Sequence, residues 1–359
     1  MVTISLCMIV KNEEAVLARC LDSIHDLVDE IIIVDTGSTD RTKEIAARYT
    51  DQIFDFPWES DFSAARNFSF SRAHMDYIYT ADADEMLDET NRTRFLQLKQ
   101  CLLPEIEIVQ MKYVTKTDFN TVLNFKKEYR PKLYKRLRSF TWVDPIHETV
   151  RLEPVVFDSD VEILHMPPAP HQKRDFAVFK QAYQKDGILS NKLLDMYARE
   201  LFISGADTDF AEAAPVFEAY LASPAADDER NALLAKEASL VLLHTARITD
   251  NFPFILKFSL DDMLTTPSAE ACMEIGDWFF TKEMFDTAIL WFYHAAFEAE
   301  SILNVRSSGN LPLARLADSY RALAEYSRGT KSDAEISAYL NAASDYQTQS
   351  EAWELPEES

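Results

Sequence analysis

The stretch Tyr77-Ile78-Tyr79-Thr80-Ala81-Asp82-Ala83-Asp84-Glu85 decides how the rest of this chain is read. Three β-prone residues run into a short acidic loop, as a buried strand does when it delivers carboxylates to a sheet edge. Asp82 and Asp84 stand two apart, so on extended backbone both side chains point the same way. Two such carboxylates suit a divalent cation that also holds phosphate oxygens. Asp-x-Asp recurs at Asp158/Asp160 and Asp207/Asp209 in a chain of net charge −24, so the spacing must be judged by its surroundings.

Those surroundings alternate strand and helix. Residues 3–10 form a buried strand, followed by Lys11-Asn12-Glu13-Glu14. Asn12 is placed to cap a helix whose apolar residues Val16, Leu17, Cys20, Leu21, Ile24 and Leu27 follow a 3.6-residue period. Residues 30–34 make a second strand that ends in Asp35-Thr36-Gly37-Ser38-Thr39-Asp40. A helix with Ile45 and Ala46 inward, a strand over 52–56 and a helix over 62–73 lead to the strand at 77–80. Repeated βα units predict a parallel, helix-covered sheet with ligands beyond the carboxyl ends of its strands. Asn12, Asp35 and Asp82 all fall at those ends. From 106 to 165 strands dominate, so the sheet finishes mixed or antiparallel.

Met166-Pro167-Pro168-Ala169-Pro170 marks a boundary. Beyond it the chain is rich in Ala, Leu and Glu. Ile275, Gly276, Phe279, Ala288, Phe292 and Ala295 match the small and large positions of a tetratricopeptide (TPR) helical hairpin, and Ala213 with Phe217 repeats its A-x-x-x-F element. The expected division is an α/β domain over 1–170, an all-α TPR-like domain over 171–350 and a tail over 351–359.

Composition narrows the function classes. The 359 residues are 47% hydrophobic and 12% aromatic, which fits a globular protein of one large or two ordinary domains. No apolar run reaches the ~18–20 residues of a membrane span, and the first residues lack a signal-peptide pattern. The scattered Cys7, Cys20, Cys101 and Cys272 read as buried, reduced thiols of a cytoplasmic protein. The charge of −24 argues against a general nucleic-acid or anionic-membrane surface. The exception is the run Lys126, Lys127, Arg130, Lys132, Lys135, Arg136 and Arg138, whose interleaved Tyr129, Tyr134 and Leu137 suggest partly buried stems able to attract a diphosphate or an acidic acceptor. Only Gly37 precedes Gly187, which excludes G-x-G-x-x-G and P-loop phosphate cradles. G-x-S-x-G and H-E-x-x-H are also absent.

Asp35 can accept a hydrogen bond from a nucleobase N–H or a ribose hydroxyl, whereas Asp40 reads as a turn and helix cap. Arg66, early in its helix, can reach a diphosphate or base. His147 and Glu148 are acid–base candidates after the acidic loop, and His165, ending the last strand, can complete a metal site with Asp84. His171 has no such support.

Taken in order, Ser5-Leu6-Cys7-Met8-Ile9-Val10-Lys11-Asn12-Glu13-Glu14, Ile33-Val34-Asp35-Thr36-Gly37-Ser38-Thr39-Asp40, Asp61-Phe62-Ser63-Ala64-Ala65-Arg66-Asn67 and Asp82-Ala83-Asp84-Glu85 resemble the family 2 glycosyltransferases of GT-A fold. The branch is the bacterial one with a TPR-like C-terminal region, which includes the sublancin-type S-glycosyltransferases. The likeness implies an α/β, Rossmann-like mixed sheet followed by an all-α region. It implies that Asn12, Glu13 and Gly37 line the nucleotide pocket, that Asp35 reads the base, usually uracil, and that Arg66 lies near base and phosphates. Asp82 looks like the ribose contact, Asp84 and His165 like metal ligands, Glu85 like a supporting residue and Glu148 like the general base. His147-Glu148 replaces the family's usual Glu-Asp base motif, which leaves His147 and Asp144 as alternatives.

The resulting expectation is an inverting transfer from a UDP-sugar to an acceptor hydroxyl or thiol on a peptide, protein or saccharide. Mn²⁺ or Mg²⁺ would neutralise the leaving diphosphate. The alternative from another class is a catalytically inactive peptide-binding scaffold, since TPR hairpins stack into concave surfaces. The helical region is equally suited to driving homo-oligomerisation.

Overall fold

The computed structural model describes residues 1–58, 61–115, 127–137, 142–143, 149–150, 153–166, 172–224, 228 and 231–356. Contacts divide the chain into two compact units, Met1–Pro170 and His171–Pro356.

The first unit runs β1 (Ile4–Val10), α1 (Leu17–Ile24), β2 (Glu30–Asp35), α2 (Thr42–Ala46), β3 (Ile53–Asp55), α3 (Phe62–Ser71), β4 (Tyr77–Thr80), β5 (Glu85–Met86), α4 (Glu89–Cys101), β6 (Ile108–Thr115), β7 (Lys127–Lys135), β8 (Trp142–Val143), β9 (Thr149–Val150) and β10 (Val156–His165). Eight strands form one sheet in the order β3-β2-β1-β4-β7-β6-β10-β5, and β8 pairs with β9 apart from it. The first four strands are parallel. β7 runs antiparallel to β4 and β6, β10 parallel to β6, and β5 antiparallel to β10. The mixed sheet expected from the sequence is present.

β1 sits at the centre of the parallel part because both of its faces are apolar, as in strands covered on both sides. Ile4, Leu6, Met8 and Val10 pack with Leu17, Cys20, Leu21 and Ile24 of α1. Cys7, on the other face, joins Ile32, Val34, Ile78 and Ala73.

Several sequence expectations change. α1 starts one turn later than read, with Val16 rather than Asn12 at its cap, because Asn12 adopts a left-handed φ of 57° and turns the chain. α4, not foreseen, starts where Asp88 accepts a hydrogen bond from Asn91 N–H at 2.9 Å. Its buried Asn91, Phe95 and Lys99 mix polar with apolar residues on one face, which masks the helical period. Lys99 is held by Asp29 at 2.6 Å. Cys7, Cys20 and Cys272 are buried, but Cys101, the last residue of α4, is exposed.

The sheet must curl. Five residue steps from Thr80 to Glu85 span at most ~18 Å fully stretched, while four strand spacings in a flat sheet are ~19 Å. The connecting loop is shorter still, since Glu85 N–H bonds Asp82 O at 3.1 Å and closes a turn. Only a curled sheet lets β5 reach β10.

The second unit is helical throughout its described residues. α5 (Gln172–Asp186), α6 (Asn191–Ser204), α7 (Asp207–Leu221), α8 (Ala232–Ile248), α9 (Phe252–Met263), α10 (Ala269–Thr281), α11 (Phe285–Phe297), α12 (Asn310–Tyr326) and α13 (Asp333–Ala352) follow one another, with a 3-10 turn at Val305–Ser308. α10 packs on α11, α11 on α12 and α12 on α13. At Gly276 a Cβ would stand 2.6 Å from Cε1 of Phe292, so the glycine is what lets the fully buried Phe292 ring close against α10. The expected tail begins later than read: α13 continues to Ala352, Trp353 lies against Gly309, and Leu355 is buried. Those two apolar side chains hold the end down.

Candidate functional site

The carboxyl edge of the parallel strands carries the first group of candidates. Asp35, the last residue of β2, is 1% exposed. Its Oδ1 accepts from Gly37 N–H at 3.0 Å and Ser38 N–H at 2.9 Å, a turn made possible by the φ of 101° at Gly37. Its Oδ2 is buried without a hydrogen-bond partner among the described residues. An ionised oxygen left in that position costs stability unless a donor arrives. Asn12, at the end of neighbouring β1, ties this turn down. Its Oδ1 accepts from Thr39 N–H at 2.8 Å and its own N–H donates to Ser38 Oγ at 2.9 Å. Glu13 N–H donates to Thr42 Oγ1 at 2.7 Å. Asp40 accepts from Thr42 N–H at 3.0 Å and from Glu14 N–H at 3.1 Å, so it braces the turn, while the N-cap of α2 is Arg41 with no side-chain cap bond.

Arg66 lies half-buried in the second turn of α3, whose start Asp61 caps by accepting from Ser63 and Ala64 N–H at 2.8 and 3.1 Å. It forms no ion pair with a described residue. α3 follows β3, so its early turns start at the carboxyl edge of the sheet.

The acidic loop divides its carboxylates by folding rather than by extension. The turn closed by Glu85 N–H leaves Asp82 exposed and Asp84 7% exposed, so the two do not project side by side as an extended strand would place them. Asp84 Oδ2 lies 3.1 Å from His165 Nε2, although 81 positions separate them in sequence. The curl of the sheet brings them together through the β5–β10 ladder, in which His165 faces Glu85. Tyr113 flanks the imidazole with ring centroids 5.1 Å apart.

Beneath the loop, Glu85 is 1% exposed and pairs with the buried Lys132 of β7 at 2.5 Å. Burial pushes the Glu85 carboxyl up to about 7; Lys132 pulls it down, while Asp82 and Asp84 add to the rise. Lys132 is thus spent on an internal acid. Three further members of the basic run also have internal partners: Arg130 lies over Tyr113 at 4.1 Å, and Arg136 Nε donates to Met75 O at 2.6 Å. Lys135 Nζ donates to Pro104 O at 2.5 Å. The remaining Asp-x-Asp pairs have local duties. Asp158 and Asp160 hold Gln110 and Lys112 across β6–β10 at 2.8 and 3.1 Å. Asp207 meets His244 at 3.2 Å, and Asp209 accepts from Ala206 N–H at 2.9 Å.

Asp144, His147, Glu148 and His171 lie outside the described residues, as do Lys126 and Arg138. The sequence reading missed Arg19, which donates to Met166 O at 2.7 Å and Asp84 O at 3.4 Å. Its acceptors are backbone carbonyls, which leave no motif.

Among the described residues no three His, Cys, Asp or Glu side chains converge as a metal cage. The Asp84–His165 pair nonetheless fits a divalent cation, with one hard carboxylate oxygen and one imidazole nitrogen leaving most coordination positions to ligand oxygens and water.

Residues 5–149 match the model of glycosyl transferase family 2. Over that stretch the chain is similar to the family 2 glycosyltransferases. A TPR repeat-containing protein of Synechococcus elongatus is 49% identical over 87 residues, covering 24% of this chain and 22% of that one. The SPbeta prophage-derived glycosyltransferase SunS of Bacillus subtilis is 34% identical over 108 residues, 28% of this chain and 24% of that one. The matched stretches therefore span about a quarter or less of those two relatives. A glucosyl-3-phosphoglycerate synthase of Mycobacterium tuberculosis, solved with Mn²⁺, UDP and phosphoglyceric acid, superposes with TM-score 0.38 at 18% identity, covering 53% of this chain and 80% of that one. No helix among the described residues is long and apolar enough to cross a membrane.

Proposed function

We propose that the first unit is an inverting, metal-dependent transferase that moves a sugar from a UDP-sugar to an acceptor hydroxyl or thiol. The observation that carries the reading is the Asp84–His165 pair, 3.1 Å apart, at the same sheet edge as the half-satisfied carboxylate of Asp35. β2 and β4 flank β1, so the strand end that carries Asp35 and the one that leads into the acidic loop are ~10 Å apart in strand spacings. One end takes a base donor and the other a diphosphate.

In this reading Asp35 Oδ2 accepts the base N–H, Asp82 meets the ribose from its exposed position, and Arg66 adds positive charge by the phosphates. Asn12, Glu13 and Gly37 hold and line that end of the pocket. Asp84 and His165 hold Mn²⁺ or Mg²⁺, which supplies Lewis-acid neutralisation of the diphosphate. Glu148 takes the acceptor proton as the acceptor oxygen or sulfur bonds the anomeric carbon. The bond to the diphosphate breaks on the opposite face, and the diphosphate leaves with the electron pair. The helical unit, with its TPR-like Gly276–Phe292 packing, presents a peptide or protein acceptor. The four free cysteines fit a reducing compartment, and we place the protein in the cytoplasm on that ground.

Calorimetric titration of UDP with and without Mn²⁺ tests the reading. Binding that tightens with Mn²⁺ is expected; no binding under either condition refutes it and favours a scaffold without catalysis.

A further inference from the structure

We propose that Arg19 is a positioning residue for the Asp84–His165 pair, acting through the backbone of both arms without touching a ligand. The proposal rests on the reading of that pair as the metal-binding group.

The arm that ends in His165 is held along β6, where His165 lies opposite Thr115, but its direct link to the Asp84 arm is short. The β5–β10 ladder is two residues long, Leu164 opposite Met86 and His165 opposite Glu85. A ladder so short is marginal by itself. Met166 N–H extends it by donating to Asp84 O at 3.0 Å. Arg19 then closes the junction, with a single nitrogen, Nη2, donating to Met166 O at 2.7 Å and Asp84 O at 3.4 Å. One guanidinium group therefore fixes the residue after His165 and the backbone of Asp84 together.

The rest of α1 acts on the same loop. Cys20 Sγ donates to Asp82 O at 3.4 Å, and Ser23 Oγ accepts from Leu87 N–H at 3.2 Å. Three residues of one short helix thus grip the loop at its beginning, middle and end. Arg19 differs from the other two in that its Nε is buried with no acceptor among the described residues. An orphaned buried donor is a cost to folding. A purely structural filler would be apolar and free of that penalty; the guanidinium instead bridges two carbonyls, one just before β5 and one just after β10. A lysine ammonium at the same site has no planar fork and must reach both from a flexible stem.

Partners that orient metal ligands without binding the metal typically matter 10- to 100-fold in affinity. Arg19→Ala should therefore reduce by at least about tenfold the factor by which Mn²⁺ tightens UDP binding. Metal-free UDP binding should stay unchanged, because the Asp35 turn is held by Asn12 and its own amides. The Mn²⁺ electron paramagnetic resonance spectrum of the UDP complex should change with it, and added guanidinium should restore part of the lost gain. Arg19→Lys, which keeps the charge and the stem, should fall between wild type and Arg19→Ala and serves if the alanine variant does not fold. An unchanged Mn²⁺ gain in either folded variant overturns the proposal while leaving the transferase reading intact. Equal loss of metal-free UDP binding also overturns it, since that marks a general structural role. Absence of any Mn²⁺ effect in the wild-type protein removes the transferase reading and this proposal together.

Discussion

Asp35→Asn separates recognition from stability in one atom. Oδ1 of Asp35 bonds two backbone amides at 3.0 and 2.9 Å, and an asparagine oxygen keeps both. Those bonds lose their charge assistance, which roughly halves their strength. Against that loss, the substitution removes a buried ionised oxygen that has no partner among the described residues. The two effects oppose each other, so folding stability should move by no more than about 1 kcal/mol, a shift of ~2–4 °C in a domain of this size. Ligand binding behaves differently. The Oδ2 position changes from acceptor to N–H donor and, in the proposed role of Asp35, would face the donor of the base. A hydrogen bond to a charged group is worth about 1.5–3 kcal/mol, which is roughly 10- to 150-fold in affinity. UDP titration by calorimetry should place the loss at the upper end of that range, alongside a nearly unmoved thermal unfolding curve. UDP affinity within about threefold of wild type would refute the assignment of Asp35 to the base.

Asp84→Asn should abolish the Mn²⁺-dependent part of UDP binding and leave the metal-free part, read by the same titration; retention of the metal effect would move the site elsewhere. Glu148→Gln should lower turnover by about 10²–10⁴-fold with donor binding nearly intact, and near-normal turnover would shift the base to Asp144 or His147. Phe292→Ala removes a fully buried ring packed on Gly276 and should destabilise the helical unit by about 3–5 kcal/mol in denaturant unfolding. Burial, reinforced by Asp195 and opposed by Arg199, pushes the Glu237 carboxyl up to about 8. A raised folded value means the folded chain binds the extra proton, so this group's contribution is complete below pH ~4.5 and is lost as pH rises through about 8. The melting temperature of Glu237→Gln minus that of wild type should therefore grow between pH 5 and 8; a flat difference would contradict the burial argument.

What was legible in the sequence was whatever local periodicity or a side-chain motif encodes. The buried runs of β1, β2 and β4 announced a parallel sheet, and their ends pointed to Asn12, Asp35 and the acidic loop. The small–large pattern of Gly276 and Phe292 announced helix pairs in close approach. Three features were not legible. β5 is two residues long and has no period to detect. α4 buries Asn91 and Lys99 beside Phe95, so its inward face does not read as apolar. Arg19 works on carbonyl oxygens, which every residue possesses, so no spacing of side chains marks its partners. The extended-strand argument for Asp82 and Asp84 failed for a related reason: one backbone hydrogen bond, from Glu85 N–H to Asp82 O, overrides the two-residue period. Asn12 was read as a helix cap, but its left-handed backbone turns it toward the neighbouring loop instead.

The connection from Thr80 to Glu85 is too short to cross a flat sheet, and that shortage makes it a ruler. Its length sets how far the end of β10 is drawn toward the end of β4, and hence the gap between the place where a base would be read and the place where phosphates would be gripped. Adding one residue to the loop would slacken the tether without altering Asp35, Asp84 or His165. Such a chain could keep every recognisable motif and still have its two halves measure the wrong molecule.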